Sequence, residues 1–513
     1  MKHRTLVAAV LAAVALGSLT NQALVAAEEN KKAAAKKTDA VRTAAPAPKT
    51  TAPAAQPFAA GARPNILFIA IDDMRDWVHY LGYPYVQTPH LDRLAARGMY
   101  FTRAYCAAPV CNPSRTALLT GLRPGTSGVY GNSTDWRQVM PDVITLPQYF
   151  HQNGYYCAGA GKIYHNSYPR VSDWDVFHTR ASKADNIAED LMTQANESTG
   201  PQAEYAVTKV AQLSYGPTRA ADSDMPDYIN ASYVIRQIRQ KHDQPFFLAC
   251  GIYKPHLPWR VPKKYFDMYP LDKIVLPTVK ADDLADIPAP GIGLAHPQEH
   301  AAIVKAGKWK EAVQAYLATI TFADAQVGRL LDAYDASPEK DNTIICLWSD
   351  HGWHLGEKEH WRKCTLWEEA TRSPFMMVVP GMTKPGQVCQ RTVDYMSIYP
   401  TLCDLAGLPI PAQNEGVSIR PLLENPGAPW DRPGVTTYHP GNHSVRTERW
   451  RYIRYNDASE ELYDHDADPL EWTNLATDPK YADVKQQLGQ WLPKINKGNA
   501  EGGGGKKGGD SEE

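Results

Sequence analysis

The sequence predicts an α/β fold, a mainly parallel sheet flanked by helices, followed by a smaller C-terminal α+β subdomain. Two observations carry the first part. Continuous apolar runs of strand length recur along the chain, as expected for strands covered on both faces. Between them lie stretches with apolar residues at helical spacing, and that alternation builds a parallel sheet. The third observation is a change of texture after Pro409, where period-two patterning replaces the longer runs.

In chain order, the first 27 residues read as an export signal. Lys2, His3 and Arg4 form a basic start, Leu6 to Leu16 is an apolar stretch, and Val25-Ala26-Ala27 supplies small residues for cleavage. That stretch is shorter than the ~20 residues a membrane-spanning helix needs. No later segment is long and apolar enough either, so an exported protein without stable membrane insertion is expected. Residues 28–62, rich in Ala, Lys and Pro, read as a disordered linker, and 498–513 as a disordered Gly-rich tail. The folded part is then 63–497, with a catalytic domain at 63–410 and a C-terminal subdomain at 411–497.

Asn65 to Ile71, Phe246 to Cys250, Thr343 to Trp348 and Phe375 to Val379 are the strand candidates. Thr88 to Arg97 and Lys308 to Tyr334 are helix candidates; the second places Ala315, Ile320, Val327 and Leu331 near one face. Ser444 to Tyr455 alternates like an exposed antiparallel hairpin, and Tyr481 to Leu492 reads as a final helix. Cys250 and Cys346 sit in apolar runs and read as buried thiols. Eight cysteines in 513 residues do not make a disulfide framework. With 54 Lys+Arg against 56 Asp+Glu, the chain lacks the broad basic surface of a nucleic-acid binder.

Ligand sites of open α/β sheets lie beyond the carboxyl ends of strands. Two strand candidates end there in metal-ligand residue types: Asp72-Asp73, and Asp350-His351 of Ser-Asp-His-Gly. Three converging carboxylates repel one another unless a cation neutralises them, which points to a hard divalent ion. An isolated Asp-Asp pair also suits a turn or helix cap. Cys111-Asn112-Pro113-Ser114-Arg115 has Pro113 for a first helical turn and Gly121 for its end. Cys111 at that N-terminus reads either as a thiolate activated by free N–H groups or as a packed residue before an ordinary helix.

These residues carry a family resemblance. RPNILFIAIDD, CNPSRTALLTG, GKIYH, KPHLPW, SDHGWHLGE and ELYDHDADPLEWTNLA occur in the order found in type I sulfatases. The chain is most similar in texture to iduronate-2-sulfatases and their bacterial relatives. The resemblance implies an alkaline-phosphatase-like fold and hydrolysis of a sulfate ester on a sulfated sugar or polysaccharide fragment. It implies oxidation of Cys111 to formylglycine by a separate maturation enzyme. The aldehyde hydrate then supplies both the attacking hydroxyl and a metal ligand. Asp72, Asp73, Asp350 and His351 match the other ligands of one divalent ion, usually calcium. Arg115 matches the residue that steadies the formylglycine. Lys162 matches a sulfate-binding lysine and His165 a partner of the hydrate. His256 and Lys363 match the sulfate and leaving-group side, with His256 protonating the departing sugar oxygen.

His354, Glu357 and His360 share the Lys363 loop and read as scaffold or rim. His439, His443, Ser444 and Arg446 are candidates for reading a sugar carboxylate. Two other functions fit parts of the pattern. A phosphatase or phosphonate hydrolase of the same fold usually carries Ser or Thr where this chain has Cys111 and holds two metal ions. A non-enzymatic glycan-binding relative has no need of the full polar set.

Overall fold

The computed structural model describes residues 63–165, 171–178 and 205–500. The expected export signal and linker, and the expected tail from residue 501, lie outside the described residues. One large sheet organises the molecule. Its strands are β1 (Asn65–Ile71), β2 (Met99–Tyr105), β3 (Tyr156–Ala160), β4 (Val176–His178), β5 (Phe246–Ile252), β6 (Thr343–Ser349), β7 (Phe375–Val378) and β8 (Gln387–Asp394). The order across the sheet is β8-β2-β7-β6-β1-β5-β3-β4. Every neighbouring pair is parallel except those of β7, which runs against both β2 and β6. The expectation of a mainly parallel sheet therefore holds, with the Phe375 run as the exception.

β1, β5 and β6 are buried along their whole lengths, which explains their uninterrupted apolar sequences. Helices cover both faces. On one side α1 (Pro89–Ala95), α3 (Pro226–Arg239) and the 27-residue α4 (Trp309–Asp335) pack over Leu67, Ile69, Leu248 and Leu347. On the other, α2 (Cys111–Thr120) and α5 (Ile398–Leu405) pack over Phe68, Phe247 and Cys346. Asp324 of α4 accepts the His90 and Leu91 N–H groups at 3.1 and 2.7 Å, so one helix supplies the cap of another.

The C-terminal part forms a four-stranded antiparallel sheet, β9 (Gly434–Thr437), β10 (His443–Arg446), β11 (Trp450–Arg454) and β12 (Glu460–Asp464), with a helix at Ala482–Gly489. The expected hairpin is β10–β11, but β10 is fully buried rather than exposed. Ser444 and Arg446 are paired with neighbours inside the protein, a pattern that period-two reading takes for solvent contact. All eight cysteines are buried thiols.

The main sheet meets the site through two glycines. A Cβ on Gly251, in β5, lies 2.3 Å from the backbone N of Lys162, and one on Gly161 lies 2.0 Å from Gly251 O. The chain after β3 thus lies directly on β5, and only glycine permits that approach. Gly251→Ala is expected to lower stability by about 1–3 kcal/mol through overpacking and to reduce turnover by displacing Lys162. Gly293→Ala, inside the helix Ala289–Ala295 with nothing within 4 Å of the new atom, is the control: it should leave turnover unchanged and stability level or raised by up to about 1 kcal/mol. Thermal unfolding with a parallel activity assay checks the pair; equal behaviour of the two variants contradicts the contact argument.

Candidate active site

The hydrogen-bond ladder of β1 continues past its end on both sides. Asp72 N donates to Ile252 O at 3.1 Å, and Asp350 N donates to Ile71 O at 3.2 Å. This puts Asp72, Asp73, Asp350 and His351 together at the carboxyl edge of the sheet, all fully buried. Asp73 has φ 57°, a left-handed conformation that costs a non-glycine residue energy. It is held there by its N–H to Asp350 Oδ1 at 3.0 Å and by the Tyr316 hydroxyl donating to its carbonyl at 2.7 Å.

Helix α2 brings two further residues. Cys111 opens its first turn, and Gly121 (φ 74°) ends it. Arg115, one turn on from Cys111, spreads its fork over the carboxylates: Nε reaches Asp350 Oδ2 at 2.9 Å and Nη2 reaches Asp72 Oδ1 at 3.0 Å. Ser114 Oγ donates to Asp350 O at 2.6 Å. Cys111 Sγ lies 2.9 Å from Lys363 Nζ, 3.3 Å from His351 Nε2 and 3.6 Å from Asp73 Oδ1. The free N–H groups expected at this helix end are largely engaged. Asn112 N–H goes to Asn132 Oδ1 at 3.0 Å, Pro113 has none, and Ser114 N–H bonds Val110 O. Positive charge here comes from side chains instead.

Lys162 Nζ sits 2.6 Å from Asp72 Oδ2, and Lys363 Nζ lies 3.0 Å from Asp73 Oδ1. Burial alone raises Asp72, yet Lys162 and Arg115 hold it well below the usual carboxylate range. Burial likewise opposes ionisation of Asp73, and His256 with Lys363 brings it down. Asp350 is the exception: burial raises it, Arg115 offsets only part, and Asp72 and Asp73 add repulsion. Burial also pushes the Cys111 thiol well up despite the two lysines. The thiolate reading of Cys111 is thereby corrected, because a thiol held protonated is a poor nucleophile.

The histidines divide by their partners. His351 Nδ1 faces Gly352 O at 3.0 Å, which orients Nε2 toward Asp73 (3.2 Å) and Asp350 (3.7 Å). His256 Nδ1 bonds Leu257 O at 2.5 Å, so its Nε2 faces Asp73 at 3.7 Å, and burial pushes it down to about 4. His165 is buried, and among the described residues its Nδ1 has no partner. Burial and then Lys162 hold it well below the usual histidine range, so it is neutral. His354 and His360 bond Thr365 Oγ1 (2.9 Å) and Ala295 O (2.6 Å), and Glu357 pairs with Arg75 at 2.6 Å. All three belong to the scaffold of the loop.

Ser444 and Arg446 do not face a sugar. Ser444 Oγ accepts from Arg451 at 2.7 Å, Arg446 Nε bonds Glu368 at 3.1 Å, and His443 bonds Thr437 at 3.0 Å. Sequence reading missed Tyr316 and Ser114, because neither a hydroxyl in a long apolar helix nor a serine beside Cys111 shows which backbone atom it will hold.

The three carboxylates suit a hard divalent cation, with the Cys111 sulfur and the imidazole nitrogens as softer donors beside them. Ligand atoms of Asp73, Cys111, Asp350 and His351 lie within 4.8 Å of one another, and those of Asp72, Asp73, Cys111 and His256 do likewise. With its lysines and an adjoining helix start, this strand-end cluster defines a hydrolase centre of the alkaline-phosphatase-like kind. Comparison with known proteins gives the family. The description "Sulfatase" matches residues 64–408, and "N-sulphoglucosamine sulphohydrolase, C-terminal" matches 356–498. A sulfatase of Formosa agariphila is 39% identical, covering 85% of this chain and 87% of its own. Human iduronate 2-sulfatase is 28% identical, covering 83% and 93% respectively. A solved structure in complex with its substrate D-glucosamine-2-N,6-O-disulfate shares the fold, with a TM-score of 0.66 at 22% identity, covering 84% of this chain and 97% of the other. The chain belongs to the sulfatase family. It is a sulfuric ester hydrolase, and the phosphatase and non-enzymatic readings give way to that.

His443 makes a pH prediction. Burial pushes it down to about 4, whereas the unfolded chain titrates near 6.5. The unfolded state therefore takes up a proton first as pH falls. Its contribution to stability is complete above about pH 6.5 and is lost on descent toward pH 4, amounting to about 3 kcal/mol. His443→Gln should flatten that limb of the pH–stability curve measured by urea unfolding. An unchanged slope would show that His443 stays exposed to protons in the native state.

Proposed function

We propose that the protein is an exported hydrolase of sulfate esters on anionic sugars, iduronate-2-sulfatase-like in substrate class, with position 111 matured to formylglycine and one calcium ion held beside it. The observation that carries this reading is the setting of Cys111. Its side chain points into a buried group of three carboxylates, two lysines and a histidine, where a thiol is protonated and chemically idle. Oxidation by the maturation enzyme replaces it with an aldehyde whose hydrate offers oxygen in place of sulfur, both as nucleophile and as a ligand for a hard ion. Calcium, when bound, supplies charge that acidifies a hydroxyl and draws in the sulfate oxygens.

Asp72, Asp73, Asp350 and His351 are the residues that would hold the ion. Their three carboxylates face Arg115, Lys162 and Lys363, so the protein groups alone balance to zero. Adding a divalent cation leaves the centre at two positive charges, which favours an anionic ester. Lys162 and Lys363 then stabilise sulfate oxygens, where charge changes during sulfuryl transfer. Arg115 holds Asp72 and Asp350 in place throughout. His256 directs Nε2 into the site; neutral before the ester binds, it takes up a proton together with the anionic ester and passes that proton to the leaving oxygen. His165 is neutral and carries an unpartnered Nδ1, which suits it to accept a proton late in the cycle, when sulfate is expelled.

One relative is named as human iduronate 2-sulfatase, and the liganded neighbour is named for a disulfated glucosamine. Both names support a sulfated sugar here. The reading of residues 1–27 as an export signal fits an enzyme that meets polysaccharide outside the cytoplasm.

Mass spectrometry of the active protein is expected to find the peptide containing position 111 in its formylglycine form. Full activity with an unmodified Cys111 would remove the basis of this reading. A second prediction separates the two histidines. His165→Ala should release one equivalent of leaving group per site in a burst and then stall. His256→Ala should lose the burst with a sugar sulfate and regain part of it with an activated aryl sulfate, which needs no proton. Rapid-quench kinetics with both substrates decides this; equal slowing of the burst by both variants shows the roles to be wrongly assigned.

A further inference from the structure

The loop after β5 that carries His256 contains a cation the chemistry above does not use. Arg260 is half-buried. Among the described residues it has no ion pair, and its Nε is buried without a hydrogen-bond partner. Other buried or half-buried arginines are engaged: Arg75 with Glu357, Arg372 with Asp76 and Arg362 with Glu299. A guanidinium taken partly out of water with no acceptor loses hydration without return. Burial lowers its pKa, and no neighbouring acid restores it.

Its placement is well defined. Trp259 and Val261 are buried in the main core, so the intervening Arg260 turns away from it. The backbone is tied to the site through one carbonyl: Pro258 O accepts from Arg260 N at 2.8 Å and from Lys254 Nζ at 2.5 Å. The same Lys254 ammonium bonds His256 O at 3.1 Å. Arg260 and His256 therefore ride on a single clamped turn, and whatever fixes one fixes the other.

We propose that Arg260 is a specificity residue that binds a second anionic group of the substrate, a carboxylate or a further sulfate on the same or the adjoining sugar. This rests on the sulfated-sugar reading and sharpens it: the enzyme selects esters that carry another negative charge. The planar fork of arginine matches either oxyanion with two parallel N–H bonds. Holding that group at Arg260 orients the sugar so that the ester being cleaved faces the turn's other functional residue, His256.

The test compares wild type with Arg260→Ala and Arg260→Lys on three probes. One is a 4-methylumbelliferyl iduronide 2-sulfate, which has a carboxylate. Another is glucosamine N,6-disulfate, which has a second sulfate and no carboxylate, and the last is 4-nitrophenyl sulfate, with a single anion. Arg260→Ala should lower kcat/KM on at least one doubly anionic probe by about ten- to a hundredfold, mainly through KM, as expected for a lost charge-assisted bond. On 4-nitrophenyl sulfate the fall should stay below about threefold, the margin set by a KM effect confined to the second anion. Arg260→Lys should fall between, since it keeps charge without the fork. Which of the first two probes suffers identifies carboxylate or sulfate as the partner. Equal losses on all three probes, or no loss on either doubly anionic one, overturns the proposal. Failure of the wild type to cleave any sulfate ester would instead overturn the proposed function, leaving the two readings distinguishable.

Discussion

Three carboxylates buried at the ends of two adjacent strands are the constraint around which this protein is arranged. Asp72, Asp73 and Asp350 cannot all ionise out of water unless positive charge surrounds them. The chain meets that demand from three separate places: Arg115 from helix α2, Lys162 from the turn after β3, and Lys363 from the loop after β6. Replacing such a group by well-packed apolar residues often costs nothing and can stabilise a protein. A fully buried set of six charges is therefore poorly explained by stability, and it is well explained by a catalytic centre that takes an anionic ester.

The sheet makes this convergence possible. β1 lies between β5 and β6, and all three run the same way, so their carboxyl ends open onto one edge. Continuing the ladder by one residue on each side is enough to set Asp72 beside Asp350. Helix α2 then approaches with its first turn foremost, which places position 111 over the carboxylates and Arg115 behind it. The lysines arrive last, on turns held by close backbone contact, as at Gly161 and Gly251.

The central strands were legible because burial on both faces leaves apolar runs, as in residues 66–71 and 344–348, and the long helix Trp309–Asp335 because its apolar residues recur at helical spacing. The candidate site was legible for a different reason. Asp72, Asp73, Asp350, His351 and Cys111 stand out as strand-end and helix-start residues, whereas Arg115, Lys162, His165, His256 and Lys363 were legible only through the resemblance of their motifs to those of type I sulfatases. What stayed hidden depends on contacts between distant segments. The reversed direction of β7 is decided by partners more than 250 residues away in the case of β2. Tyr316, which holds Asp73 O, lies in the middle of a helix whose pattern says only that it is buried. The state of Cys111 was equally out of reach, since its thiol is raised by an enclosure that the motif does not describe.

The C-terminal sheet shows why buried polar residues misled the sequence reading, and what they do instead. Its charged side chains converge on the segment just after Lys363. Arg451 pairs with Glu368 and Glu471 and donates to Leu366 O at 2.9 Å, while Glu368 N–H bonds Glu471 at 3.1 Å. Lys358 pairs with Asp283 at 2.7 Å and bonds Glu471 O. The loop they grip is conformationally costly: Lys358, Glu359, Arg362 and Cys364 all have positive φ. Left alone, such a loop would relax and carry Lys363 away from Asp73. A buried ionic network anchored in a sheet resists that relaxation, because breaking any one pair leaves a charge unmatched out of water. Ser444 and Arg446 thus reach the chemistry only through the backbone they help to hold, and the C-terminal sheet acts as the support that keeps one strained lysine loop in register with the strand ends.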